Sequence, residues 1–431
     1  MLIDFTVENY RSIKEPVTLS MIASSRKKVP AGKESKRRNI KSDDEIAAPF
    51  SVEERQLNLL PVIGIFGANA SGKSNVIRAL DELLAFIFMS SNPKYGIPTR
   101  WFTPFRLNGR STKEPTRFEI RVIRDKTIFI YSLVLNKTRI LHEKLEYIPA
   151  ASQKAQTRLL FGITWQEDQE TYSVKNGKDL GNGYREIQES LRETELFLSF
   201  LIFHLDVKIT RPLAVWLADV EELATEALEY KWATEGLVSS EPEPGESVTR
   251  ILRRFDTGIT QIEIEKPKAD NDEQDEEIKV WVWHEAEGKP VRWPIQEEST
   301  GTQRLFSLSC KMLRAIRTGG LVLMDELGSN IHPNITREII RWFQSEKTNP
   351  KRAQLIFTSH DNTLQRANLL RRDQIWFTQK RADGSTELYP LSDFRPRNDL
   401  AIDKAYLEGR FGAVPILPDE EGMLQSAESL K

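Results

Sequence analysis

The sequence predicts an α/β fold: a parallel sheet buried on both faces, an attached antiparallel β layer and a helical insertion. Three observations carry that expectation. The run Leu59-Leu60-Pro61-Val62-Ile63-Gly64-Ile65-Phe66 is almost continuously apolar, as a strand covered on both faces is, and a glycine-rich loop, Gly67 to Ser74, joins it to a helical pattern from Asn75 onward. A second apolar strand, Gly319 to Met324, ends in the adjacent acids Asp325 and Glu326. Between them lie β-rich runs separated by turn residues, and then a stretch whose apolar residues recur at helical spacing.

The loop Gly67-Ala68-Asn69-Ala70-Ser71-Gly72-Lys73-Ser74 is a P-loop in its required strand-to-helix context. The backbone N–H groups of Gly67, Asn69, Ala70, Ser71 and Gly72 can wrap an anion, Lys73 can reach the β and γ phosphates, and Ser74 can ligate Mg²⁺. Asn75 follows in the first turn of the helix, whose N-terminus adds roughly half a positive charge. The chemistry is that of ATP or another nucleoside triphosphate with its magnesium.

Composition narrows the class. A chain of 431 residues exceeds one ordinary core and suggests two or three lobes. Its 61 Lys and Arg nearly balance 63 Asp and Glu, so any nucleic-acid contact has to come from a local patch. Cys310 is the only cysteine, which excludes an internal disulfide and a cysteine-based zinc site and fits a reducing compartment. No apolar run is long enough to cross a bilayer, and the start Met1-Leu2-Ile3-Asp4 has no signal-peptide character. A cytoplasmic location is expected.

In order along the chain, Leu2 to Val7 and Val17 to Ile22 alternate like paired strands around Asn9-Tyr10-Arg11-Ser12, and read as an edge hairpin feeding the nucleotide sheet. Ser25 to Lys41 is crowded with basic residues, Arg26 to Lys41, and is either a solvated loop or a phosphate-contacting arm for nucleic acid. Val76, Ile77, Leu80, Leu83, Leu84 and Ile87 give the helix after the P-loop one sheet-facing side. Arg117 to Ile123, Thr127 to Leu135 and Arg139 to Ile148 form the antiparallel layer. From Tyr184 to Trp232 the period is helical; Ser239 to Gly245 reads as a linker, and Lys268 to Glu277 as an acidic loop between strands Ile259 to Ile264 and Ile278 to His284.

The strand ending at Asp325 and Glu326 supplies the other half of a hydrolytic site. Beside a P-loop strand, Asp325 can hold Mg²⁺ and Glu326 can orient and deprotonate the attacking water. Upstream, Glu298-Ser299-Thr300-Gly301-Thr302-Gln303-Arg304 opens a helix, a second potential anion site. Downstream come Gly328-Ser329-Asn330-Ile331-His332-Pro333 and a strand, Gln354 to Phe357, running into Thr358-Ser359-His360-Asp361.

That order of P-loop, Ser-x-Gly-x-Gln helix, strand with paired acids, then strand with histidine resembles the ABC-type ATPases of the SMC, RecF and recombination-repair group. The resemblance implies that Ser299, Gly301, Thr302 and Gln303 form the signature capping the γ phosphate held by a partner subunit. It makes Ser329 and Asn330 the D-loop and His360 the switch histidine. It places Asn9 and Arg11 near the nucleotide, although an edge hairpin explains these equally well; His332 equally well starts the following helix. Two phosphate-binding helix ends in one chain call for head-to-tail pairing, hence an ATP-dependent homodimer or larger homo-oligomer.

Asn9-Tyr10-Arg11-Ser12, Pro104-Phe105, Pro115 to Glu119 and Tyr406-Leu407-Glu408-Gly409-Arg410-Phe411-Gly412-Ala413-Val414-Pro415 narrow the likeness to bacterial ABC-type ATPases related to the OLD family. These occur in abortive-infection and anti-phage systems of the AbiL, RloA and PARIS kind. The chain departs from the wider pattern in lacking a clear Q-loop glutamine between Ser90 and Glu119 and a metal-binding nuclease domain after Pro418. The expected layout is an ATPase head at 1–183, a helical subdomain at 184–258, the rest of the head with signature, acids and histidine at 259–418, and a tail at 419–431. The implied function is an ATP-hydrolysing switch that senses infection and controls a separately encoded toxin or nuclease. A DNA clamp of the RecF and SMC type is the alternative, and a transporter subunit a weaker third.

Overall fold

The computed structural model describes residues 1–24, 48–90, 101–150, 156–181, 183–190, 195–205, 207–221, 234–235, 238, 243–265, 278–366, 368–397 and 400–415. The basic run Arg26 to Lys41, the acidic run Lys268 to Glu277 and the tail 419–431 lie outside the described residues.

Two sheets organise the chain. The first is antiparallel and runs in the order β10 (Thr171–Asn176), β9 (Arg158–Gln166), β8 (Ile140–Ile148), β7 (Thr127–Leu135), β6 (Thr116–Arg124), β1 (Leu2–Glu8), β2 (Val17–Ser20). The second runs β11 (Val220–Glu221), β15 (Leu321–Met324), β16 (Gln354–Thr358), β5 (Val62–Gly67), β17 (Ile375–Lys380), β18 (Thr386–Pro390). Its first five strands are parallel and β18 closes one edge antiparallel. Short pairs β3 (Phe50–Val52) with β4 (Leu57–Leu59), and β12 (Gln261–Glu265), β13 (Lys279–Ala286) and β14 (Lys289–Pro294), complete the strands.

The helices are α1 (Lys73–Met89), α2 (Arg185–Ser190), α3 (Phe197–Phe203), α4 (Arg211–Ala218), α5 (Pro244–Arg254), α6 (Thr300–Thr318), α7 (Pro333–Gln344) and α8 (Ile402–Leu407). Helix α1 lies between the two sheets. Its Val76, Ile77, Leu80, Leu83 and Leu84 share a core with Phe5, Val7, Phe118, Tyr131 and Leu133 of the antiparallel layer and with Ile63, Ile65, Leu321, Leu323 and Ile356 of the parallel one. The opposite face of the parallel sheet, Val62, Phe66, Val322, Met324, Leu355 and Phe357, packs on α6 and α7 through Leu305, Leu308, Met312, Ile339 and Phe343. Both faces are therefore covered, which is why its strands read as unbroken apolar runs.

The N-terminal hairpin departs from expectation. It belongs to the antiparallel sheet, because β1 is paired on one side with β2 and on the other with β6, in register over most of its length. The hairpin tip reaches the nucleotide sheet, where the Thr386 amide donates to Ser12 O at 2.7 Å. A second tie between sheets is Gln354, a buried side chain at the start of β16: its Oε1 accepts from Leu2 N at 2.6 Å, and its Nε2 donates to Leu2 O and Leu60 O at 3.1 and 3.2 Å. The linker reading of Ser239 to Gly245 also gives way at its end, since Pro244 and Gly245 begin α5, with proline at a first-turn position where a missing N–H costs nothing.

Helix α3 is held by a buried carboxylate. Glu143 on β8 accepts from Phe197 N at 2.8 Å, Leu198 N at 2.9 Å and the Tyr131 hydroxyl at 3.1 Å. Burial works against those donors and wins, so the Glu143 carboxyl is pushed up from 4.5 to about 7. A carboxyl raised in the folded state keeps its proton where the unfolded chain has lost it, so its contribution falls as pH rises from 4.5 towards 7. The size is about 3 kcal/mol. In denaturant melts across that window, the stability of the wild type should fall relative to that of Glu143→Gln as the pH rises.

Candidate nucleotide site

The P-loop is shaped by its own glycines and locked from outside. Gly72 has φ +105, and a Cβ there would lie 2.0 Å from Thr386 Oγ1; a Cβ on Gly67 would lie 2.4 Å from Thr378 O. Both positions therefore require glycine. Ala70 adopts φ +60 without that excuse. The bracing residues come from the β17–β18 hairpin and the N-terminal turn. Ser71 Oγ and Thr378 Oγ1 share a hydrogen bond of 2.7 Å, Thr386 Oγ1 donates to Ser71 O at 2.9 Å, and Asn75 Nδ2 donates to Ser12 Oγ at 2.7 Å. Ser71 and Asn75 thus use their side chains to hold the loop, leaving Asn69 and Ala70 exposed at its tip.

Lys73 is buried, and its Nζ donates to Gly67 O at 2.9 Å and Ala68 O at 3.0 Å, folded back over the loop it serves. Burial lowers its pKa, while the charges of Asp325 and Glu326 act the other way. Ser74 Oγ donates to Asp325 Oδ1 at 2.9 Å, joining the first turn of α1 to the end of β15. The same Oδ1 accepts from Thr358 Oγ1 at 2.6 Å, and that hydroxyl accepts the amide of Glu326 at 2.7 Å. Arg78, one turn along α1, stands 3.7 Å from Asp325 Oδ2. A hydroxyl and a carboxylate at a P-loop are a hard-oxygen set of the kind Mg²⁺ uses, with phosphate and water completing its shell.

Glu326 and His360, the expected catalytic pair, are exposed at neighbouring strand ends. Glu326 has φ +55 and Asn330 φ +59. The Ser329 amide donates to Glu326 O at 3.0 Å, closing the turn after the acids. Ser299 is the exposed N-cap of α6, its Oγ accepting from Thr302 N at 3.2 Å and lying 2.9 Å from Thr302 Oγ1. A Cβ on Gly301 would lie 2.7 Å from Asn330 O, so the first turn of α6 rests on the turn at Asn330. Gln303 Nε2 donates to Gln296 O at 3.0 Å and Glu298 O at 2.8 Å. His332 caps α7, its Nδ1 accepting from Asn334 N, the structural reading of that residue.

Arg11 sits apart from the loop: its guanidinium pairs with Glu82 at 2.8 Å and with the Tyr10 hydroxyl, about two and a half turns along α1 from Lys73. Its neighbour Ser12 touches the P-loop helix instead. Thr378 and Thr386 are further residues of the site that sequence reasoning missed, and Thr358 and Arg304, quoted within the sequence motifs, take roles there that sequence reasoning did not assign. The role of Thr358 could have been found, since β15 and β16 are in register and place it beside Asp325. The two hairpin threonines carry no local signal. Thr386→Ala should remove the bond to Ser71 O and loosen the loop, costing about 1 kcal/mol of stability and weakening ATP binding several-fold in a calorimetric titration, with the fold retained.

Among solved structures, the chain is similar to the SmcHead bound to the C-winged helix domain of ScpA, with a TM-score of 0.44 and 11% identity, covering 94% of this chain and 99% of that one. It is similar to the SMC head domain from Thermotoga maritima, with a TM-score of 0.39 and 12% identity over 90% and 98% of the two chains. It is similar too to an Smc head domain with an extended coiled coil bound to the C-terminal domain of ScpA derived from Pyrococcus furiosus, with a TM-score of 0.39 and 11% identity over 94% and 98%. No curated protein matches it. Residues 62–366, most of the chain and all of the site from the P-loop strand to His360, match the family model described as "AAA domain, putative AbiEii toxin, Type IV TA system", and the chain belongs to that family.

Proposed function

We propose that the protein is an ATP-driven switch in which two copies pair head to tail and each pair of heads encloses two nucleotides. One observation carries this reading: Ser74, Asp325 and Thr358 converge beside Glu326, while the capped helix end at Ser299 faces outward, where another subunit can reach it. In each site Gly67 to Asn75 bind ATP, Ser74 and Asp325 hold Mg²⁺, and Ser299, Gly301, Thr302 and Gln303 of the second copy close over the γ phosphate. The magnesium offsets charge on the β and γ phosphates. Lys73 exchanges its loop carbonyls for phosphate oxygens, and this exchange is favoured because a buried ammonium gains anionic partners. Glu326 accepts the proton of the attacking water as the γ phosphate leaves ADP, His360 contacts that phosphate, and Ser329 and Asn330 carry the change across the interface.

ATP binding closes the heads and hydrolysis releases them. The family's toxin–antitoxin context supports an abortive-infection role, in which closure controls a separately encoded toxin or nuclease in the cytoplasm. The head is formed by 1–183 and 259–418, with the mainly helical 184–258 contributing β11 to the edge of its parallel sheet. Among the described residues no helix is long and apolar enough to cross a membrane.

Glu326→Gln should bind ATP with near-normal affinity and turn it over more slowly by a factor of about a hundred or more. Light scattering after gel filtration should show it monomeric without nucleotide and dimeric with ATP and Mg²⁺. Ser299→Arg should abolish that dimer while a fluorescent ATP analogue still binds the P-loop. Pull-down with the Glu326→Gln dimer should recover the effector; recovery of DNA alone would replace this reading with a DNA clamp.

A further inference from the structure

Arg304 lies one turn inside α6, the helix that begins at Ser299 and Gly301. Its Nη2 donates to the carbonyl oxygens of both Asp325 and Glu326, each at 3.1 Å. Its Nε is buried without a hydrogen-bond partner, so these strand-end carbonyls are what anchors the guanidinium. The backbone it grips is the strained one: Glu326 sits at φ +55, a region that disfavours residues with a Cβ by about 1–2 kcal/mol. Two groups keep it there from opposite sides, Thr358 Oγ1 on the amide and Arg304 on the carbonyl. The Ser329 amide adds to the carbonyl side.

Arg304 is on the same helix as the exposed Ser299 end. Gly301 rests on Asn330 O with no room for a side chain, and Gln303 fastens the same turn to the carbonyls of Gln296 and Glu298. Ser299 and Arg304 are five positions apart on one helix, about 7.5 Å along its axis. A tilt of α6 when its N-terminus meets an anion therefore carries the guanidinium with it, and the two carbonyls follow.

We propose that Arg304 is a positioning residue that transmits the placement of α6 to Glu326 of the same chain, so that hydrolysis in one site is set by the helix that caps the nucleotide of the other. This rests on the head-to-tail reading above. It adds that the two sites are coupled within each subunit, by a hydrogen-bonded arginine, as well as across the interface.

The test uses Arg304→Met and Arg304→Lys in the full chain. Arg304→Met should stay folded with a melting temperature lowered by no more than a few degrees, keep KM within about twofold and lose kcat by about tenfold or more, the loss expected of a displaced proton acceptor. Arg304→Lys should recover part of kcat, and Arg304→Met combined with Glu326→Gln should still dimerise with ATP. Mixed dimers isolate the coupling. When the partner carries Glu326→Gln, only the Glu326 chain turns over, and Ser299 of that chain caps the inactive site. Ser299→Ala on the Glu326 chain should nonetheless lower its turnover several-fold, and should have no further effect once Arg304→Met is present on the same chain. Additive effects, or a wild-type kcat in Arg304→Met, overturn the coupling while leaving the sandwich standing. A Glu326→Gln protein that stays monomeric with ATP overturns the sandwich and the coupling together.

Discussion

The site depends on one hydrogen-bonded junction, the Asp325 carboxylate receiving the hydroxyls of Ser74 and Thr358. Three elements distant in sequence end there: the P-loop helix, the strand with the acids and the strand that runs on to His360. Each alone presents a polar group at the rim of an apolar layer. Together they satisfy one another, and the Thr358 hydroxyl, having donated to Asp325, is left with a lone pair that accepts the Glu326 amide. The geometry of the acid next to Asp325 is thus fixed by a residue two positions before the histidine. This is why the parallel register of β5, β16 and β15 matters to chemistry as well as to packing.

Around that junction the backbone is held in unfavourable conformations. Ala70 and Glu326 have positive φ without being glycine, at about 1–2 kcal/mol each, and Asn330 shares that conformation, which asparagine tolerates better. Each belongs to a segment held by neighbouring groups. The β17–β18 threonines back the P-loop, Thr358 and Arg304 pin Glu326, and the start of α6 lies on Asn330. Strain of this kind concentrates where a site must be shaped before its ligand arrives. The stability that offsets it comes from the layers, in which α1 is enclosed by two sheets and the parallel sheet is covered on both faces.

What the sequence disclosed follows from how local each signal is. The P-loop, the acid pair and the Ser299 cap are contiguous patterns whose chemistry needs only their own neighbours, and the long alternations of β6, β7 and β8 announce themselves in the same way. The hairpin at the N-terminus was legible as a hairpin but not as part of the antiparallel sheet, because β1 meets β6 across more than a hundred residues and its alternation fits either layer. The braces were illegible for the same reason. Thr378 and Thr386 look like ordinary strand threonines until topology lays their hairpin against the P-loop, and Arg304 looks like a solvated helix arginine until Asp325 and Glu326 are placed beneath it.

The C-terminal run Tyr406 to Pro415, distinctive in sequence but without evident chemistry, gains a physical role from the same logic. Tyr406 and Phe411 stack on Phe377 at centroid distances of 5.3 and 5.9 Å, Tyr389 donates to Phe411 O, and the Ala413 amide donates to Gln379 Oε1. Gly412, at φ +67 and with its Cβ position 2.3 Å from Gln379 Oε1, lets the chain pass that close. These contacts flank Thr378 on β17, the residue that holds Ser71. The motif therefore seals the strand that braces the P-loop, so a pattern with no catalytic group in it still bears on how firmly the nucleotide loop is held.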